Sequence, residues 1–363
     1  MSQTHSPLLN ADSSPDEIFI SIVIGTFNGA RTIGATLEAL ESQQHIVRTE
    51  LIVVDDASTD ETPAICGRPN VRLIRLTENH GHGHALNVGL SAARGSVMAT
   101  LDDDCVPPPT WIRDLARRWM EAPEDVTVIG GSVLPLSHDT YNRRYVAYRS
   151  PLCPQESQLN ESAGFWLRLR FAIWPPKPME GPRPVYYVVG ANMSVRVSAV
   201  RAAGGFTELP GAGEEESIAR PLRQQYGPNT IWFFPDLVMQ HDFQASTSDS
   251  LRRSRFYGRA HGRDWILSGG IPTIRPLPSM LASLLVFTVL YRSRLFWAVL
   301  ALPLVSYRRW YASLRQGAGL EAVTYPYMHL LEEVADNVGF IEGLLREKFN
   351  ISLSSRLLSR PGS

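Results

Sequence analysis

Three short β-branched runs each end in a polar cluster. Ile18-Phe19-Ile20-Ser21-Ile22-Val23-Ile24 runs into Gly25-Thr26-Phe27-Asn28-Gly29, Leu51-Ile52-Val53-Val54 into Asp55-Asp56, and Ser96-Val97-Met98-Ala99-Thr100-Leu101 into Asp102-Asp103-Asp104. Runs this short and this apolar read as strands covered on both faces, the habit of parallel sheets. Between them, Ile33, Leu37 and Leu40 stand at helical spacing, Ser58, Thr59 and Asp60 supply helix-start chemistry, and Ala85 to Ala93 reads as a helix broken at Arg94-Gly95. Alternating strands and helices predict an α/β sheet with helices on both faces. In such a sheet, ligands bind outside the carboxyl ends of the strands. The three clusters should therefore converge on one crevice.

The 363 residues suggest about two domains. We expect a disordered tail over 1–17, a first half of the α/β domain over 18–135, a second half over 136–245, and a helical region over 246–363. The tail is polar and lacks the basic start and apolar core of a signal peptide. The stretch 138–184, rich in aromatics, arginine and proline, reads as a flexible insertion or long loop. Cys66, Cys105 and Cys153 form no disulfide or metal spacing, which suits a reducing compartment. The 35 basic and 36 acidic side chains nearly cancel, so no basic field exists to hold nucleic acid.

Residues 277–291 and 295–307 carry no charge, and arginines separate and flank them. Each is shorter than the roughly 20 apolar residues a bilayer span needs. In-plane or re-entrant membrane helices fit better, the competing reading being a buried hairpin or dimer interface. Farther on, Leu330, Leu331, Val334, Val338 and Ile341 predict an amphipathic helix over Tyr325 to Phe349.

Three adjacent carboxylates after a buried strand repel one another, and a hard divalent ion bridged to a diphosphate would relieve that repulsion. The competing reading is a solvated acidic turn. His80, His82 and His84 alternate, but no cysteine or fourth ligand stands nearby to make a zinc site.

Ser21 to Gly29, Val53-Val54-Asp55-Asp56 through Thr62, Asn79-His80-Gly81-His82-Gly83-His84-Ala85-Leu86-Asn87, and Thr100-Leu101-Asp102-Asp103-Asp104 together resemble the family 2 glycosyltransferases of GT-A fold, over about Ile20 to Phe243. The resemblance implies an inverting enzyme with a nucleotide-sugar donor and Mg²⁺ or Mn²⁺. Gly25, Thr26 and Asn28 would line the base and ribose. Asp56, beside Asp55, would accept from the base, and Asn79, Gly81 and Asn87 would belong to the same nucleotide-binding set. Asp102 would hold ribose or the metal shell and Asp104 the metal, with Asp103 left ambiguous by one register step. His241 would be a further metal ligand. Gly190-Ala191-Asn192-Met193-Ser194 would lie beneath the donor sugar. Gly213-Glu214-Glu215-Glu216 would put Glu215 in the place of the catalytic base, with Glu214 and Glu216 as the other candidates. An acidic first helical turn is the plain alternative.

Two departures stand out. The family often has Arg where this chain has Leu86, and the Gln-x-x-Arg-Trp pattern of processive members is absent from Leu251 to Arg259. The second favours single addition. The arginines there either bind a diphosphate or phosphorylated acceptor or form a solvated helix face. The apolar stretches favour a lipid-linked or envelope-glycan acceptor and a cytoplasmic location against the inner face of the membrane. A soluble small-molecule or peptide acceptor is the alternative, as is an inactive nucleotide-binding scaffold. A nucleotidyltransferase would need a basic glycine loop that Gly25 to Arg31 lacks, and a dinucleotide oxidoreductase a third glycine after Gly81-His82-Gly83.

Overall fold

The computed structural model describes residues 18–44, 46–149, 181–208, 213–243, 246–268, 291, 303–304, 310–315 and 319–358. The expected tail and nearly all of the stretches 277–291 and 295–307 lie outside them. Among the described residues no helix is long and apolar enough to cross a membrane.

The strands are β1 (Phe19–Thr26), β2 (Arg48–Asp55), β3 (Val71–Arg75), β4 (Val97–Thr100), β5 (Cys105–Val106), β6 (Val128–Pro135), β7 (Arg183–Pro184), β8 (Met193–Arg196) and β9 (Ile231–His241). They form one sheet of order 3-2-1-4-8-6-9-5, with β7 on β9. Strands β3, β2, β1 and β4 run parallel, so the polar clusters of β1, β2 and β4 emerge on one edge as predicted. Strand β8 runs antiparallel between β4 and β6. The two expected halves of the α/β domain therefore share one sheet.

β1 shows why the run must be apolar throughout. Ile20, Ile22 and Ile24 pack into one core with Ile33 and Leu37 of helix α1 (Ile33–Glu41) and Trp111 of α4 (Trp111–Glu121). Val23 packs into a second core on the other face, with Ala85, Leu86 and Leu90 of α3 (His82–Ala92). Helix α2 (Thr62–Cys66) joins β2 to β3.

The structure differs from the sequence reading within 138–184. Helix α5 (Tyr141–Arg149) lies inside the stretch read as a loop, and its Tyr145 is fully buried. Its apolar positions are sparse, so periodicity does not announce it. Strand β9 runs through to His241, with an irregularity opposite Gly131/Ser132 that carries it past Pro235. Strand β8 begins at Met193, directly after a 3₁₀ turn at Gly190–Asn192. Further helices are α6 (Val197–Ala202), α7 (Glu214–Tyr226), α8 (Thr247–Ser268), α9 (Trp310–Arg315) and α10 (Tyr325–Leu358).

Candidate active site

Pairing of β5 with β9 builds the acidic end of the site. Cys105 sits opposite His241, and the Asp242 N–H donates to the Asp104 carbonyl at 2.8 Å. This places the fully buried His241 imidazole against the aspartates that follow β4, with Nε2 3.1 Å from Asp104 Oδ1 and 3.7 Å from Asp102 Oδ2. Ligand atoms of Asp102, Asp104, Cys105 and His241 lie within 4.8 Å of one another. Asp103 is outside this group, because its carboxylate accepts the Thr26 hydroxyl. Burial pushes the Asp104 carboxyl up to about 6 despite His241; burial also opposes the charge on Asp102, but there His241, His82 and Arg253 together outweigh it and hold the carboxyl at about 2.

These residues fit a hard divalent cation. Asp104 Oδ1 and both His241 nitrogens are buried without hydrogen-bond partners, an arrangement costly unless something binds them. Cys105 is the weak member. Its Sγ lies 3.6 Å from the Ala191 carbonyl, and burial raises its thiol well above the ordinary range, so it stays protonated. Two carboxylates and one imidazole remain, a donor set that suits a hard divalent cation.

Glu215 stands in the first turn of α7. Its Oε1 accepts the Gly190 N–H at 2.7 Å, and the Thr100 hydroxyl donates to the Gly190 carbonyl at 2.8 Å. The 3₁₀ turn thus links Glu215 to the end of β4. Burial, then the neighbouring Glu214 charge, raise the Glu215 carboxyl to about 7. A helix N-terminus favours a carboxylate by only about 0.3–1 kcal/mol, and burial wins here. Glu214 is the more buried of the two, and burial raises its carboxyl as well.

Several predicted contacts are turned inward. Asn192 is 1% exposed and its side chain is saturated: Oδ1 accepts Trp111 Nε1 at 3.0 Å, while Nδ2 donates to the carbonyls of Ser132 at 3.0 Å and Leu237 at 2.8 Å. It cross-links α4, β6 and β9. Asn192→Ala should cost about 3 kcal/mol in a urea melt, because three buried partners lose their bonds. Asp55 is fully buried, accepting the Ser58 N–H at 3.0 Å and lying 3.3 Å from Arg75 Nε. Asn87 pins the loop before α7, bonding Phe206 N, Phe206 O and Glu208. Each forms an internal brace, because a short amide or carboxylate beside loop backbone is satisfied locally.

The remaining predictions stay at the crevice edge. Asp56, 3% exposed, accepts the N–H groups of His80 at 2.9 Å and Gly81 at 2.8 Å, while Asn79 donates to its carbonyl at 3.3 Å. Asn28 adopts φ 54° and accepts the Thr59 N–H at 2.9 Å, tying the β1 loop to the β2 loop. Gly25 gives close approach: a Cβ there would sit 3.1 Å from His82 Nδ1 and 3.2 Å from the Ala85 Cβ. His82 in turn acts on Asp102, Asp103 and Glu214 through its charge. Its ring holds the position one helical turn before Leu86, which is buried.

Two residues of the site were not singled out by sequence. Arg253 and Tyr257 of α8 join through Arg253 Nε donating to Tyr257 Oη at 3.0 Å. The Arg253 charge acts on Asp102 and Asp104, and Tyr257 lies near Asp102 and Glu215. The arginine run 252–259 was the available signal, but only packing picks which arginine faces the aspartates.

An α/β sheet of this order, with a carboxylate–imidazole cluster at its strand ends and a half-buried glutamate near it, has the architecture of the GT-A glycosyltransferases. Residues 21–174 match the model of glycosyl transferase family 2, and over that segment the chain belongs to this family. The succinoglycan biosynthesis protein ExoO of Rhizobium meliloti is 37% identical over 128 residues, covering 34% of this chain and 36% of the relative. The dodecaprenyl-phosphate galacturonate synthase of Rhizobium johnstonii is 31% identical over 135 residues, covering 33% and 39%. The matched part thus spans well under half the length of these relatives. The mannosyltransferase PcManGT from Pyrobaculum calidifontis, solved with GDP-Man and Mn²⁺, shares the fold at a TM-score of 0.55 and 20% identity, over 92% of this chain and 90% of that one.

Proposed function

We propose that the protein transfers a sugar from a nucleotide-sugar donor to an acceptor hydroxyl with inversion, in a single addition that depends on Mg²⁺ or Mn²⁺. The observation that carries this is the convergence of Asp102, Asp104 and His241 near the half-buried Glu215. Phe27, half exposed beside Asn28 at the end of β1, offers a face on which the base stacks. Asp102, Asp104 and His241 would hold the cation, which when bound neutralises the diphosphate as it leaves. Arg253 adds a fixed positive charge on the same side. Glu215, held near neutrality, takes the acceptor proton as the hydroxyl attacks the anomeric carbon opposite the leaving group. An α-linked donor then gives a β-linked product.

For the acceptor, we infer a lipid-linked or cell-envelope glycan, met at the cytoplasmic face of the membrane. The succinoglycan and dodecaprenyl-phosphate names of the two relatives support that class, as do the uncharged stretches 277–291 and 295–307. Detergent-free fractionation checks it: sedimentation with membranes is expected, and a wholly soluble protein contradicts it.

The donor reading is tested by thermal shift against nucleoside diphosphates and their sugars, with and without Mn²⁺. One nucleotide is expected to stabilise the protein only with the ion, by about 2.7 kcal/mol at a hundredfold excess over Kd. Folded protein that responds to no nucleotide would overturn the reading.

A further inference from the structure

The C-terminal helix α10 reaches the site at second hand, through α8. Their backbones touch. A Cβ on Gly258 would overlap the Asp336 carbonyl, one on Gly262 the Phe340 carbonyl, one on Gly339 the Arg255 carbonyl and one on Gly343 the Arg259 carbonyl. The partners advance together along both helices, so the pair is parallel. Side chains cannot cushion such a contact, and its register is not free to slide by fractions of a turn.

Glu332 ties the start of this pair to the α/β domain. It is 4% exposed. Its Oε1 accepts the Ser250 hydroxyl of α8 at 2.8 Å, and its Oε2 accepts the Tyr145 hydroxyl of α5 at 2.8 Å. Arg149 Nε lies 3.0 Å from the same Oε2 and supplies the countercharge. Ser250, Arg253 and Tyr257 are spaced three and four apart, so they share one face of α8. The hydroxyl held by Glu332 is thus one turn before the guanidinium that acts on Asp102 and Asp104.

We infer that Glu332 is a positioning residue for the donor site. By fixing Ser250 against α5, it sets the height and rotation of α8 at which Arg253 and Tyr257 face the cation and diphosphate. The inference rests on the donor-site reading above. It adds a residue about 160 positions beyond the segment matched to the family. Glu332 touches no reacting atom and acts only through the helix.

The test combines amide hydrogen exchange with nucleotide binding. Glu332→Gln keeps the side-chain shape but removes the charge that Arg149 faces. Exchange across 250–257 should quicken about tenfold while 51–55 in β2 stays unchanged. The Kd for a nucleoside diphosphate with Mn²⁺ should rise about tenfold, and combining Glu332→Gln with Arg253→Ala should weaken binding no further than Arg253→Ala alone. Ser250→Ala, which leaves the Arg149 contact intact, should move both readouts the same way by less. Unchanged exchange at 250–257, or losses that multiply in the double variant, overturn the inference. Wild-type protein that binds no nucleoside diphosphate with Mn²⁺ overturns the donor-site reading instead, and shows this before any variant is made.

Discussion

Glu215→Gln is expected to lower kcat by roughly 10³-fold while leaving Mn²⁺-dependent nucleotide binding within about twofold of wild type. The amide keeps the shape and can still accept the Gly190 N–H, but it cannot take a proton. The wild-type pH profile carries the same information. A base must be deprotonated to act, so kcat/KM should rise with pH through about 7 and then level off, where a carboxyl at its ordinary value near 4.5 would give a flat profile. A cation at Asp102 draws this limb toward lower pH as Mn²⁺ saturates.

The same substitution should stabilise the cation-free fold. A carboxyl raised from 4.5 to about 7 contributes stability that is complete below 4.5 and lost as pH rises through about 7. At pH 8, Glu215→Gln removes this loss and should raise stability on the order of 2 kcal/mol. Melts in EDTA at pH 5 and pH 8 check it. A gain confined to pH 8, together with lost turnover, marks a glutamate kept at a cost to the fold. Full activity in Glu215→Gln would remove it as the base and return attention to Glu214.

Asp104→Asn is expected to weaken nucleoside diphosphate binding in Mn²⁺ by roughly a hundredfold or more, with no change in EDTA. Calorimetry with and without the ion separates a ligand from a residue that merely shapes the loop. Asp103→Asn provides the contrast. Its carboxylate accepts the Thr26 hydroxyl rather than facing His241, so the Mn²⁺ dependence should survive there. Equal losses at Asp103 and Asp104 would mean that the register of the three aspartates at the cation is off by one.

Particular residues show how far the sequence reaches. The strand-end clusters were legible because β1, β2 and β4 are parallel and buried on both faces. An apolar run that must stop at the sheet edge announces both the strand and the polar loop after it. Glu215 was a candidate only through the resemblance of Gly213-Glu214-Glu215 to the family's acceptor-site motif, because three adjacent glutamates do not themselves say which one faces the site. Asn87 and Asn192 were legible as residues of the site region but not as braces, because whether an amide faces a ligand or a carbonyl depends on what packs around it. Helix α5 was missed since its burial comes from contact with α10, not from its own periodicity: Tyr145 meets Glu332, 187 positions away.

By itself the sequence determined the parallel half of the sheet, the crevice at its edge and the acidic clusters that face it. These are local consequences of hydrophobic runs and their terminators. Only the tertiary structure decided which carboxylates meet the His241 imidazole, which arginine of α8 looks at them, and that desolvation and the Glu214 charge raise the Glu215 carboxyl to about 7. Those outcomes depend on strands and helices distant in the chain arriving at one point. Desolvation and charge proximity are set there by the packed neighbours, and no spacing along the sequence encodes them.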